Sequence, residues 1–404
     1  MLNIYVARQP IFDRQQKVYA YEILYRSSEE NYNFASNGDL ATSDVIVNSF
    51  LAIGLDKLTR GKKAFINFSK HLLDNETAFL LPRDLVSIEI TKDIENDQET
   101  INACKKLKQK GYTIALDDYT HHAGCKNVIN ISELIKVDYQ ETGVGEREKI
   151  VEYFKGSKKK LIAERVETVQ DYGEAMASGY DFFQGYFFCE PTIVIGKEIQ
   201  STKLQNLRLL QEIYKTDMDF DQVEMLIKQD PSLSYKLLRF INSIAFPVRF
   251  PIRSIRQAIT LLGQKEMIKW ASLVALRNVS YDKPDELIVT AVSRAKFCES
   301  MAAATDFSER SADLFLTGLF SLLDTFLDQP METILKELPL ADEIKSALQG
   351  ESGPFKEILD LVLLYEQGAW DKAFAIASEK YSLDEVEVMS YYLESLELAD
   401  MVWK

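Results

Sequence analysis

TIALDD at residues 113–118, LIKVD at 134–138 and LIAERVET at 161–168 decide the fold of this chain. Each is a short apolar run, rich in β-branched residues, that ends on charged groups. The pattern recurs outward along the first half. YAYEILYR (19–26) carries Glu22, KAFINFSK (63–70) carries Asn67, VSIEIT (86–91) carries Glu89, and FFQGYFF (182–188) carries Gln184. Most of these runs are separated by enough residues for a helix. Strand alternating with helix argues for a parallel sheet. Charged or amide groups at the ends of several parallel strands argue for a barrel with a site on its C-terminal face. Carboxylates and amide oxygens converging there could hold Mg²⁺ or Mn²⁺, which prefer hard oxygen ligands.

The strands are expected at 3–8, 17–26, 63–69, 86–90, 113–118, 134–138, 160–166 and 182–188, with helices near 39–58, 97–110, 145–156 and 169–178. The first two strands read as a hairpin about Asp13-Arg14, so the barrel is not expected to be purely parallel. After Pro191 the strand signal largely disappears. A helix is expected over 195–215, with Leu204, Leu207, Leu210 and Ile213 at helical spacing. Asp219, with Gln222 three residues on, resembles a capping box before the next helix, and helices continue to about residue 402.

At 404 residues the chain is expected to hold two or three domains, and its composition is that of a soluble globular protein. A net charge of −15 disfavours binding to nucleic acid polymers or anionic lipid. It leaves room for a small phosphate ligand, because a bound cation would invert the local field. The start MLNIYVARQP lacks a signal pattern, and no apolar run approaches membrane-spanning length. Cys104, Cys125, Cys189 and Cys298 are scattered and form no CxxC, as expected of thiols in a reducing cytoplasm. Other signals carry less. Asp217 to Asp221 has Gln222 and Lys228 where a calcium loop needs glycine and glutamate, so a helix start is expected instead. His121-His122 reads as a loop pair, and Asp93 to Glu99 as the solvated start of a helix.

The ordered set of motifs resembles the EAL domain family, with Glu22-Ile23-Leu24 standing where the family has Glu-Ala-Leu. Asn67 in INFS, Glu89 in IEIT, Asp117-Asp118 after TIAL, Lys136 in IKVD, AERVET at 163–168 and QGY at 184–186 follow in family order. The resemblance covers about residues 1–195 and implies a TIM-like (β/α)8 barrel that linearises cyclic di-GMP with two Mg²⁺ or Mn²⁺ ions. It implies that Glu22, Asn67, Glu89, Asp117, Asp118 and Glu167 surround the metals. Glu164 would act as general base, Lys136 and Gln184 would orient water or ligand, and Arg26 would contact a phosphate. Three departures stand out. Lys92 replaces the second glutamate of Glu-Leu-Thr-Glu, Tyr119-Thr120-His121-His122 replaces Phe-Gly-Thr-Gly, and Arg165 replaces a glycine.

The second half resembles the HDOD domain, an all-helical relative of HD phosphohydrolases. The matching pieces are DPSLSYKLLRFINS (Asp230 to Ser243), IRSIRQAITLLG ending at Gly263, and GLFSLLDTFL (Gly318 to Leu327). The three histidines, His71, His121 and His122, all lie in the first half, so the second cannot build a histidine-based metal site. A non-catalytic interaction module with a protein partner is expected, over residues 196–404. Two functions follow from these resemblances. One is a metal-dependent cyclic di-GMP phosphodiesterase, weak or conditional. The other is a catalytically silent barrel that binds or has lost cyclic di-GMP and signals through HDOD contacts. A homodimer is a further expectation for the chain.

Overall fold

A computed structural model describes residues 4–27, 54–74, 76–120, 125–190, 213, 218–229, 231–242, 252–279, 283–303, 305–338 and 340–403. The chain divides into two compact units. One is Met1–Glu190 with Tyr365–Trp370, the other Pro191–Leu364 with Asp371–Lys404.

The first unit is a closed barrel of eight strands in sequential order. They are β1 (Ile4–Asp13), β2 (Val18–Ser27), β3 (Lys63–Asn67), β4 (Val86–Thr91), β5 (Thr113–Asp117), β6 (Leu134–Asp138), β7 (Lys160–Glu164) and β8 (Phe182–Gln184). β1 runs antiparallel to both neighbours, β2 and β8, and every other pairing is parallel. The hairpin turn is closed by Asp13, whose carboxylate accepts the backbone N–H groups of Gln15 at 2.8 Å and Lys17 at 3.0 Å. β1 runs on to Asp13, past the expected end at residue 8, although it contains Pro10. Pro10 pairs only with Tyr21 of β2, and pairing to β8 begins at Ile11, so the missing N–H breaks no ladder bond. The expected strands over 63–69, 160–166 and 182–188 stop at Asn67, Glu164 and Gln184. The motif residues beyond them form loops.

Helices Gln98–Gln109, Val144–Phe154 and Val169–Ser178 fill the crossovers where periodicity placed them. Asp97 caps the first, accepting from the N–H groups of Glu99 and Thr100, both at 3.1 Å. Thr168 and Asp171 form a reciprocal capping box on the last. Short helices at Leu55–Thr59, Lys70–Asp74 and Lys126–Ile131 complete the described connections. The expected helix over 39–58 is described only from residue 54 on.

Side chains alternate along each strand with period two. Ile11, Ala20, Phe65, Ala115, Leu134 and Ile162 fill the barrel interior, with Tyr19 and Phe182 packed against them. This apolar layer is the floor on which the polar layer stands.

The second unit is all-helical among its described residues, from Phe220–Gln229 through Glu385–Trp403. Asp219 caps its first described helix through the N–H groups of Asp221 at 2.8 Å and Gln222 at 3.2 Å. The long helix Ile255–Val279 is broken at Gly263, which adopts φ 67°. Gly318 permits the close approach of helix Ser311–Phe320 to helix Asp285–Ala303. A Cβ there would lie 2.5 Å from the Arg294 carbonyl oxygen. Asp324 accepts from the Thr325 N–H at 2.8 Å, the local bond of a helix start. Trp270 is buried. The expected helix over 195–215 lies outside the described residues apart from Ile213, which is helical. Among the described residues, no helix is long and apolar enough to cross a membrane.

Candidate active site

The polar layer lies one step of the alternation above the floor. Two residues beyond Ala20, Phe65, Ala115, Leu134, Ile162 and Phe182 stand Glu22, Asn67, Asp117, Lys136, Glu164 and Gln184. Glu89 joins them from β4, opposite Asn67 in register. The same side-chain period that buries the apolar floor therefore sends the polar residues toward the C-terminal mouth.

Lys136 is the hub. Its Nζ is fully buried and lies 2.6 Å from Glu89 Oε1, 2.6 Å from Glu164 Oε1, 3.1 Å from Glu22 Oε2 and 3.4 Å from Asp117 Oδ1. Asn67 Nδ2 donates to Glu22 Oε1 at 3.0 Å, and Gln184 Nε2 donates to Glu22 Oε2 at 2.6 Å. One ammonium cannot neutralise four carboxylates. Burial pushes the Glu89 carboxyl well above the usual carboxylate range, and the Glu22 charge adds to it. Burial does the same to Glu164, against the pull of Lys136. Burial alone would lower Lys136, but Glu164, Glu22, Glu89 and Asp117 together hold it well above the ordinary lysine value. Asp118 is raised by partial desolvation and then by Asp117.

A hard divalent cation fits this donor set. Glu89 is fully buried, yet neither of its oxygens has a hydrogen-bond partner among the described residues. Its Oε1 meets Lys136 as an ion pair only. Because Lys136 is shared among four carboxylates, it leaves net negative charge in a buried site, which a further cation would offset. Asp117, Asp118 and Glu164 each offer an oxygen, all within 4.8 Å of one another. Asp118 holds a left-handed backbone, φ 48°, which turns the chain at the mouth.

Not every expected residue joins this group. Glu167 is exposed in the loop after Val166 and makes none of these contacts, because the chain has already left the barrel wall at Glu164. The side chain of Arg26, and His121 and His122 with it, lie outside what the structure describes. Lys92 and Thr120, two of the departures, meet each other, with Lys92 Nζ 3.5 Å from Thr120 Oγ1. The two altered motifs therefore touch through this bond. The Arg165 side chain is 63% exposed, and its Nη1 lies 3.1 Å from Asp138 Oδ2.

Gln9 was not foreseen. Its Oε1 accepts from Gln184 Nε2 at 3.1 Å, and it sits opposite Glu22 in the hairpin register. Because β1 is antiparallel, its polar-layer residue precedes the floor residue Ile11 where the other strands place theirs after it. The hairpin register could have found it. The loops at the mouth are locked by Gly185, whose φ is 143°. A Cβ there would lie 2.1 Å from the Val166 carbonyl oxygen. Glycine lets Val166 N–H reach the Gln184 carbonyl at 2.9 Å, joining the AERVET and QGY segments.

Residues 3–191 match the EAL domain family, and residues 204–328 match the HDOD domain family. The chain belongs to the EAL–HDOD family. It is 38% identical over 98% of its length, and 98% of the relative's, to the uncharacterised protein YuxH of Bacillus subtilis. It is 35% identical over 92% of its length, and 86% of the relative's, to the cyclic di-GMP phosphodiesterase CdgJ of Vibrio cholerae. Among solved structures it is similar to the calcium and cyclic di-GMP complex of Klebsiella pneumoniae BlrP1. That match has 20% identity and TM-score 0.38, and covers 47% of this chain and 58% of that one.

Proposed function

We propose that this EAL–HDOD protein is a divalent-metal-dependent phosphodiesterase that opens cyclic di-GMP to the linear dinucleotide. The observation that carries the reading is the cluster of carboxylates that one buried ammonium cannot neutralise, with the oxygens of Asp117, Asp118 and Glu164 converging within 4.8 Å. The relationship to CdgJ over nearly the whole chain supports the choice of substrate. Glu22, Asn67, Glu89, Asp117 and Asp118 are the proposed holders of Mg²⁺ or Mn²⁺. Glu167, exposed on the rim, lacks that support.

A bound cation would supply charge stabilisation for the phosphoryl oxygens and a more acidic water. The chain's own residues do the rest. Glu164, poised by burial as a stronger base than an exposed glutamate, takes the proton of the attacking water. The water oxygen forms a bond to phosphorus, one P–O ester bond breaks, and the departing sugar oxygen takes up a proton. Lys136 holds four carboxylates in one place and keeps their repulsion from opening the mouth. Gln184 fixes Glu22 through its amide N–H and leaves its buried Oε1 without a protein partner, a free acceptor for water or ligand among the described residues.

The helical half is proposed to be a non-catalytic module for a protein partner, with the domain border near residues 195/196. The direct test of the metal assignment is calorimetry with Mn²⁺. Binding by the full chain that Glu89→Ala weakens is expected, and equal affinity would remove Glu89 from the site. Purified full chain with Mn²⁺ and cyclic di-GMP should yield the linear dinucleotide. Binding without turnover would leave the silent-barrel alternative standing.

A further inference from the structure

Arg165 follows Glu164 directly at the C-terminal end of β7 and holds φ 51°. That region is unfavourable for any residue with a Cβ and is the natural place for glycine. A long cationic side chain kept there invites the question of what it does. Its Nη1 lies 3.1 Å from Asp138 Oδ2. Among the described residues this is the guanidinium's one protein contact, so Nε and Nη2 remain available as a donor pair. Asp138 does not depend on Arg165 for its position. Its Oδ1 already accepts the N–H groups of Gln140 and Glu141, both at 2.9 Å. The Arg165 backbone is pinned as well, its carbonyl accepting from Gln140 Nε2 at 3.2 Å. The rim therefore has a fixed backbone, a fixed carboxylate that orients the guanidinium, and an exposed fork next to Glu164. Asp138 stands two residues beyond Lys136 on β6, so by the period-two alternation the guanidinium it holds lies on the face that carries the polar layer.

We propose that Arg165 is a substrate-binding residue whose guanidinium takes a non-bridging phosphate oxygen of the cyclic dinucleotide while Nη1 stays on Asp138. The assignment rests on the phosphodiesterase reading above. A planar fork suits a phosphate better than an ammonium does, and the Asp138 contact pre-orients it. A purely structural clamp between β6 and β7 would have no need of an exposed head, since Asp138 and Gln140 already join those strand ends.

Steady-state kinetics of the full chain with Mn²⁺ and cyclic di-GMP test the assignment. Arg165→Ala and Arg165→Gln should raise KM by about ten- to a hundredfold, the scale of a lost charge-assisted bond. The kcat should change little, the signature of an interaction made equally in ground and transition states. Calorimetry in a Glu164→Gln background should show dinucleotide affinity falling by the same factor, with Mn²⁺ affinity unchanged. Arg165→Lys should recover part of the loss. Arg165→Gly should raise KM equally while leaving the thermal midpoint unchanged or higher, because it relieves the left-handed backbone. An unchanged KM in the alanine and glutamine variants, with wild type turning over the dinucleotide, would overturn the role of Arg165 and spare the phosphodiesterase reading. Wild type that neither binds nor hydrolyses cyclic di-GMP would overturn both.

Discussion

Replacing Lys136 by methionine removes the one cation that the structure places among four carboxylates, while keeping a side chain of similar length. The four distances run from 2.6 to 3.4 Å. At about 3 Å and an effective dielectric of 20, each pair attracts by roughly 5 kcal/mol. Most of that is consumed by desolvating the ammonium and by repulsion among the carboxylates. The part that reaches stability is the cost of breaking a buried ion pair, about 3–5 kcal/mol. With a denaturant slope of about 3 kcal/mol/M, the urea midpoint of the metal-free barrel should fall by roughly 1–2 M. The pH dependence has a defined sign. Without the ammonium the Glu89 and Glu164 carboxyls rise further above their unfolded values, so protonation offsets the loss at low pH. The variant should therefore be closest to wild type at pH 5 and furthest from it at pH 8. Mn²⁺ should restore part of the loss, because a cation replaces the missing charge. Urea titrations by circular dichroism and tyrosine fluorescence, with and without Mn²⁺, give all three numbers. A loss below about 1 kcal/mol in the metal-free protein would refute the view that Lys136 carries the electrostatics of the barrel.

Gly185→Ala should destabilise the barrel by at least the 1–3 kcal/mol typical of local backbone strain, with activity lost beyond what stability explains. The new Cβ meets the Val166 carbonyl at 2.1 Å and displaces Gln184. An unchanged thermal midpoint in calorimetric scanning would contradict this. In the metal-free wild type, Glu89 and Glu164 have carboxyl groups raised above their unfolded values. Their contribution to stability is complete below an unfolded glutamate pKa of about 4.3 and is lost as pH rises through the raised folded values. Cation binding needs the ionised forms, so the thermal shift caused by Mn²⁺ should grow from pH 5 to pH 8. A shift largest at pH 5 would count against a carboxylate site.

The barrel was legible because each strand is a short β-branched run closed by a polar residue, and because the period-two rule makes Ala20 and Glu22, or Leu134 and Lys136, share a face. The hairpin was legible from Asp13-Arg14 and told against a purely parallel barrel. What escaped was set by tertiary context. Pro10 reads as a strand end, but lies where β1 has a partner on one side only. Helices Lys70–Asp74 and Lys126–Ile131 are too short to show a period. Gln9 escaped because the polar layer precedes the floor on an antiparallel strand. The expectation that Glu167 stands with the others came from family spacing. The chain turns away after Glu164 and leaves it exposed. Lys92 and Thr120 each read as a departure from the family motif, yet the structure joins them, a pairing invisible to either residue alone.

The central claim is that the buried carboxylates and Lys136 form a hydrolytic site in which Glu164 handles the proton of water. The most direct measurement is chromatographic analysis of cyclic di-GMP incubated with the full chain and Mn²⁺, wild type beside Glu164→Gln. The account predicts conversion to the linear dinucleotide by wild type, and a rate at least about a hundredfold lower in the variant, the scale of losing a positioned base. No linear product from wild type, or equal rates in the two proteins, would contradict it.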